Sequence, residues 1–189
     1  MSMPASVTTG LRGAALLARG RPEGLAFFPG TMDEASRSFV AVAVSVPVIV
    51  GIRLIAWAEN GVPATGGRIL LRDLMVYAVS WLVFAIMSYR IAGSLGRTEQ
   101  WPRFIVAWNW CNVVGNLIVM FGGVPGLLGV PSVVDQATEV VALGWALWLE
   151  WYAVRLAFGA GPLLAAYLVM LDQIIGLSFA IMGMSLGPR

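Results

Sequence analysis

Residues 161–186 read GPLLAAYLVMLDQIIGLSFAIMGMSL. The run carries one charged side chain, Asp172, and is long enough to cross a bilayer as a helix, which takes about 20 residues at about 1.5 Å each. The ten Leu, Ile, Val and Phe residues between Leu163 and Ile181 supply roughly 3–6 kcal/mol of insertion free energy, against about 3 kcal/mol for a central Asp. Insertion wins, by a narrow margin. Gly176, Ala180, Gly183 and Gly187 add a strip of small residues suited to close helix packing, within the bundle or across a homodimer.

Just upstream, Phe158-Gly159-Ala160-Gly161-Pro162 is a turn, and Glu150 lies on the arm before it. With both arms helical, the two carboxyls sit roughly 15 and 18 Å from that turn, close to mid-bilayer. Intramembrane acids are costly and typically face a bundle interior or a water-filled path, so Glu150 and Asp172 lead the candidate site.

The rest of the chain agrees with a membrane protein. Hydrophobic residues make up 59%, charged residues 12%, and mean hydropathy is +0.82, all far from soluble averages. Four further apolar segments are expected at about 38–57, 69–92, 102–121 and 133–158, besides 161–186. The first is opened by Thr31-Met32-Asp33-Glu34, a capping-box pattern, and Pro47 is expected to kink it. The expectation is an all-α, polytopic membrane helical bundle with five transmembrane helices spanning 38–189. Residues 1–37 precede it as a short N-terminal interfacial, amphipathic segment. Residues 6–20 are expected to form a helix on the membrane surface, ended by Arg21-Pro22-Glu23-Gly24, with Phe27 and Phe28 offered to the interface.

Arginine placement orients the bundle. Arg12, Arg19, Arg21, Arg37, Arg90, Arg97, Arg103 and Arg155 fall on one side, and Arg53, Arg68, Arg72 and Arg189 at or near the other. The positive-inside rule then puts the N-terminus in the cytoplasm and the C-terminus across the membrane. Arg53 and Asp73 lie about equally far from the hairpin midpoint near Val62, so a structural ion pair is expected between them.

Asn109, Asn112 and Asn116 are spaced three and four apart, on one face of the third span. Asn112 falls at roughly 15 Å from the inner end, level with the two carboxyls. A mid-membrane polar cluster of Glu150, Asp172, Gln173, Asn109, Asn112 and Asn116 is therefore the candidate binding site. The alternative for the same residues is interhelical hydrogen bonding at about 0.6–2 kcal/mol per contact. Trp57, Trp101 and Trp151 read as an interfacial belt, whereas Trp108, Trp145 and Trp148 lie deeper.

Absent residues narrow the chemistry. There is no histidine, Cys111 is the only cysteine, and no phosphate-binding, zinc-protease, serine-hydrolase or calcium-loop motif occurs. No catalytic residue, metal or cofactor is implied, and no basic stripe suits nucleic acid.

Ala18-Arg19-Gly20-Arg21-Pro22-Glu23-Gly24-Leu25-Ala26-Phe27-Phe28-Pro29, followed by Ala35-Ser36-Arg37-Ser38-Phe39 and a Pro47-containing helix, resembles small bacterial Yip1-type proteins. That resemblance implies a five-span protein with a cytoplasmic N-terminus; eukaryotic members resemble trafficking adaptors, and it assigns no functional residue. The expected role is a non-enzymatic scaffold, adaptor or accessory subunit in the bacterial cytoplasmic membrane. Its partners would be the lipid bilayer and a second copy or another membrane protein. The alternative is a small proton- or cation-coupled transporter or channel using the carboxylate cluster.

Overall fold

The computed structural model describes residues 3–185, and among these there are helices and no strands. Five segments are long and apolar enough to cross a membrane: Met32–Asn60, Gly66–Ser94, Trp101–Leu127, Ser132–Phe158 and Pro162–Ser185. The chain is an all-α helical bundle and a multi-pass membrane protein. In chain order its helices are α1 (Met3–Leu17), α2 (Met32–Ser38), α3 (Val40–Asn60), α4 (Gly66–Ser94), α5 (Trp101–Gly122), α6 (Val124–Leu127), α7 (Ser132–Phe158) and α8 (Pro162–Ser185), with a 3₁₀ turn at Pro22–Phe27. Leu186 and Gly187 lie outside the described residues.

The first span starts earlier than the hydrophobic pattern indicates. Thr31 accepts a side-chain hydrogen bond from the Glu34 N–H at 3.3 Å and so starts α2 at Met32. The Arg37–Asp33 ion pair at 2.9 Å lies on this polar first stretch. Only a one-residue break at Phe39 separates α2 from α3, and α3 runs on through Pro47.

Helix α5 is the hub, packed on α1, α2, α3 and α7. Small residues allow the α5–α7 contact to be close: Gly115 faces Ala146, and Gly122 faces Ala142. The Thr138 hydroxyl then donates to the Gly122 carbonyl at 3.1 Å. Helix α8 packs on both α4 and α7. Within its small-residue strip, Gly183 meets Val76 and the Arg72 stem on α4, while Gly176 faces open space.

The N-terminal segment departs from the surface helix expected for it. Ala14, Leu17 and Phe28 are buried, and α1 leans on α5 and on the 3₁₀ turn. Glycines explain the difference. Gly10 lies under the Trp110 indole, and Gly13 and Gly24 meet backbone to backbone, leaving no room for a Cβ at either. The charged residues Arg12, Arg19, Arg21 and Glu23 stay exposed on the outer side of this wrap. Phe28 therefore serves the core and not the interface; Phe27 lies under the Arg12 guanidinium, 5.3 Å from its ring centre.

At the α4–α5 end, Arg97 fastens two connections together. Its guanidinium donates to the Phe158 carbonyl at 3.1 Å and the Gly159 carbonyl at 2.8 Å, where α7 ends in a left-handed glycine. A cation at a helix C-terminus satisfies carbonyls that have no partner within the helix and complements the helix dipole.

Candidate functional site

The site is built where α5, α7 and α8 meet. Glu150 comes from α7, about 12 Å from its Phe158 end, and Asp172 from α8, about 15 Å from Pro162. The antiparallel hairpin thereby carries both acids to one level. Glu150 is 6% exposed. One of its carboxylate oxygens accepts from the Trp108 indole N–H at 3.1 Å and the other from the Gln173 amide at 3.4 Å. The half-buried Asp172 carboxyl stands beside both the Glu150 carboxyl and the Trp108 indole.

A partly polar cavity of about 90 Å³ adjoins Glu150. Glu150, Gln173, Asn112, Asn116 and Cys111 line it, opposite apolar atoms of Val119 and Leu143. The volume and the polar lining are enough to hold several waters. Cys111 is buried and unpaired.

Two of the three asparagines, Asn112 and Asn116, share this cavity with Glu150 and Gln173, and Asn109 stands apart from the carboxyls. Asn109 is fully buried and faces away from them: its amide donates to the Ser38 hydroxyl at 2.6 Å, and its carbonyl accepts from the Trp81 indole N–H. Asn116, two turns further on, donates to the Tyr77 hydroxyl at 3.1 Å. Tyr77 and Trp81 are one turn apart on α4, so positions 109 and 116 of α5 meet a matching pair of partners. Asn112 is rotated toward the cavity, where its amide donates to the Trp108 carbonyl of its own helix at 3.0 Å. A seven-residue interval nearly closes two helical turns, whereas Asn112 is offset toward α7; this separates the three roles.

Aromatic contacts join these polar pairs into one network. Trp81 meets Trp108 edge to face at 5.1 Å, Tyr77 meets Trp81 at 5.1 Å, and Phe84 stacks on Trp108 at 4.4 Å. Sequence reasoning singled out Trp108 for its depth but had no signal for Ser38, Tyr77 or Trp81, which acquire their roles only when α2 and α4 pack on α5. Trp101, expected in an interfacial belt, is instead buried and donates to the Ser88 hydroxyl at 3.1 Å. The Trp145 indole bonds to the Ala18 carbonyl at 2.9 Å, and the Trp151 indole to the exposed Pro162 carbonyl at the start of α8, at 3.1 Å.

Arg53 and Asp73 form an ion pair, and Arg72 adds a second contact to Asp73 at 3.0 Å. This group lies near the opposite end of the bundle and is separate from the carboxyl site. Among the described residues, no group of three or more histidine, cysteine, aspartate or glutamate side chains is placed to hold a metal. No protein family, curated protein or solved structure matches the chain.

Proposed function

We propose that the protein is a non-enzymatic scaffold or accessory subunit of a membrane complex. It sits in the bacterial cytoplasmic membrane with its N-terminus in the cytoplasm and its C-terminus in the periplasm, as in the small Yip1-type proteins it resembles. The observation that supports this reading is how the polar side chains at mid-depth are used. Asn109, Asn116 and Glu150 each bond to a side chain on another helix, tying α2, α4, α5, α7 and α8 into one body. Such a network holds a platform in shape. The binding surface then belongs to the outer faces, toward lipid and toward a second copy or another membrane protein.

A second reading, a small proton- or cation-coupled carrier or channel, is favoured by one feature: two adjacent carboxyls at mid-depth, of which Glu150 lines a partly polar cavity. The variants Glu150→Gln and Asp172→Asn separate the two. On the scaffold reading both variants lower thermal stability, neither changes ion flux in liposomes, and a stoichiometric partner or second copy co-purifies from native membranes. A pH-dependent flux in the wild type that both variants abolish, with assembly intact, would overturn it in favour of the carrier.

A further inference from the structure

The α4 and α8 helices leave an open groove of about 670 Å³ between them, within the roughly 300–1,000 Å³ usual for small-ligand sites. Its walls are apolar, with Val76 and Val79 on α4 and Phe179 on α8, and it ends beside Arg68 and Arg72. No acidic residue lines it among the described residues. Asp73 is shared by Arg53 and Arg72, and Arg68 makes no ion pair among the described residues. The groove mouth thus carries two guanidiniums, Arg72 bonded to Asp73 and Arg68 without an ion pair among the described residues, and no carboxylate in its lining; Glu59, Asp135 and Glu139 at the same end stand on α3 and α7.

The dimensions identify the occupant. From Arg68 to Val79 the groove follows α4 for about 16 Å, roughly half the hydrocarbon thickness of a bilayer. A ligand with an anionic head at the arginines and an apolar tail one leaflet deep matches both ends. Gly183 lets α8 approach α4 closely along the slot, since a Cβ there would lie 3.1 Å from Val76 and 3.4 Å from the Arg72 stem. We propose that the α4–α8 groove is a binding site for an anionic phospholipid, its phosphate held by Arg68 and Arg72 and one acyl chain lying between the helices. A zwitterionic headgroup would bring a second cation against the guanidiniums and bind less well.

The test is native mass spectrometry of the full chain in mild detergent, with dioleoyl phosphatidylglycerol and dioleoyl phosphatidylcholine added in equal amounts. The phosphatidylglycerol adduct should be the one retained. Arg68→Gln should weaken it about fivefold and weaken the phosphatidylcholine adduct less. Gly183→Leu should reduce retention of both lipids by filling the slot. Arg68 is exposed and free of ion pairs in the described structure, so its variant should fold whatever Gly183→Leu does. Equal retention of the two lipids, or an unchanged phosphatidylglycerol adduct in Arg68→Gln, would overturn the proposal. So would competition by glycerol 3-phosphate as effective as that by the intact lipid, since the acyl chain would then contribute nothing.

Discussion

Helix α5 has two halves that live in different surroundings. From Trp101 to Val113 every residue except Arg103 and Asn112 is buried, whereas between Val114 and Phe121 only Gly115 is. Helices α1 and α2 cover the first half along with α7; the second half looks onto a cavity of about 270 Å³ between α3 and α7. The difference shows what the N-terminal segment does. It turns the surface of a membrane helix into a core on all sides, and the polar network of Asn109, Trp108 and Glu150 is built there, where side chains are held from every direction. The opposite half keeps its charge pairs and its grooves.

The largest test of this contrast is Trp108→Ala. Trp108 is fully buried and is the indole donor to Glu150, so truncation opens a cavity and leaves a buried carboxyl oxygen without that partner. A loss of about 3–5 kcal/mol is expected in reversible unfolding from mixed micelles. Trp108→Phe removes the N–H together with part of the indole volume, with about 1–3 kcal/mol expected, less than Trp108→Ala. Ile55→Ala, beside the cavity of the opposite half, should cost clearly less than Trp108→Ala. If the two truncations cost the same, the halves do not differ in packing and the contrast falls.

Gly24→Val tests whether the wrap itself makes the difference. A Cβ at position 24 would run into the Gly13 carbonyl, and relieving that clash means moving α1 off the 3₁₀ turn. Overpacking of this kind costs about 1–3 kcal/mol. Limited trypsin digestion gives the more specific readout: cleavage after Arg19 should accelerate several-fold, ahead of any change in global unfolding, while Pro22 protects the bond after Arg21. A variant that melts early with unchanged cleavage kinetics would place the damage elsewhere.

How far the two halves could be read from the sequence follows the same division. The spans are legible because about 20 apolar residues between Gly and Pro turns have few other uses. The levels of Glu150 and Asp172 are legible because helical rise converts residue count into depth. The wrap is not: Gly10, Gly13 and Gly24 look like ordinary loop and helix glycines until Trp110 and the 3₁₀ turn are set against them. The belt assignment of Trp101 failed for a related reason, since an indole near a helix end bonds to Ser88 once α4 lies beside it, and nothing in its own segment announces that partner. Asn109 alone stands apart from the cavity that Asn112 and Asn116 line with Glu150, because spacing of three and four fixes a face only to within tens of degrees.

The smallest effect is expected at the ion pair of the opposite half. Arg53 and Asp73 side chains are 36% and 18% exposed, and Arg72 holds the same carboxylate from the other side, so Arg53 is not the only partner of Asp73. A double-mutant cycle on Arg53→Met and Asp73→Leu should give a coupling below about 1 kcal/mol. The single variants should be unequal. Removing Arg53 leaves Asp73 with Arg72, whereas removing Asp73 leaves two arginines facing each other near the membrane, so Asp73→Leu is expected to be the costlier change. A coupling of several kcal/mol would mean that the pair is desolvated like Glu150, and the opposite half would then have a polar core of its own.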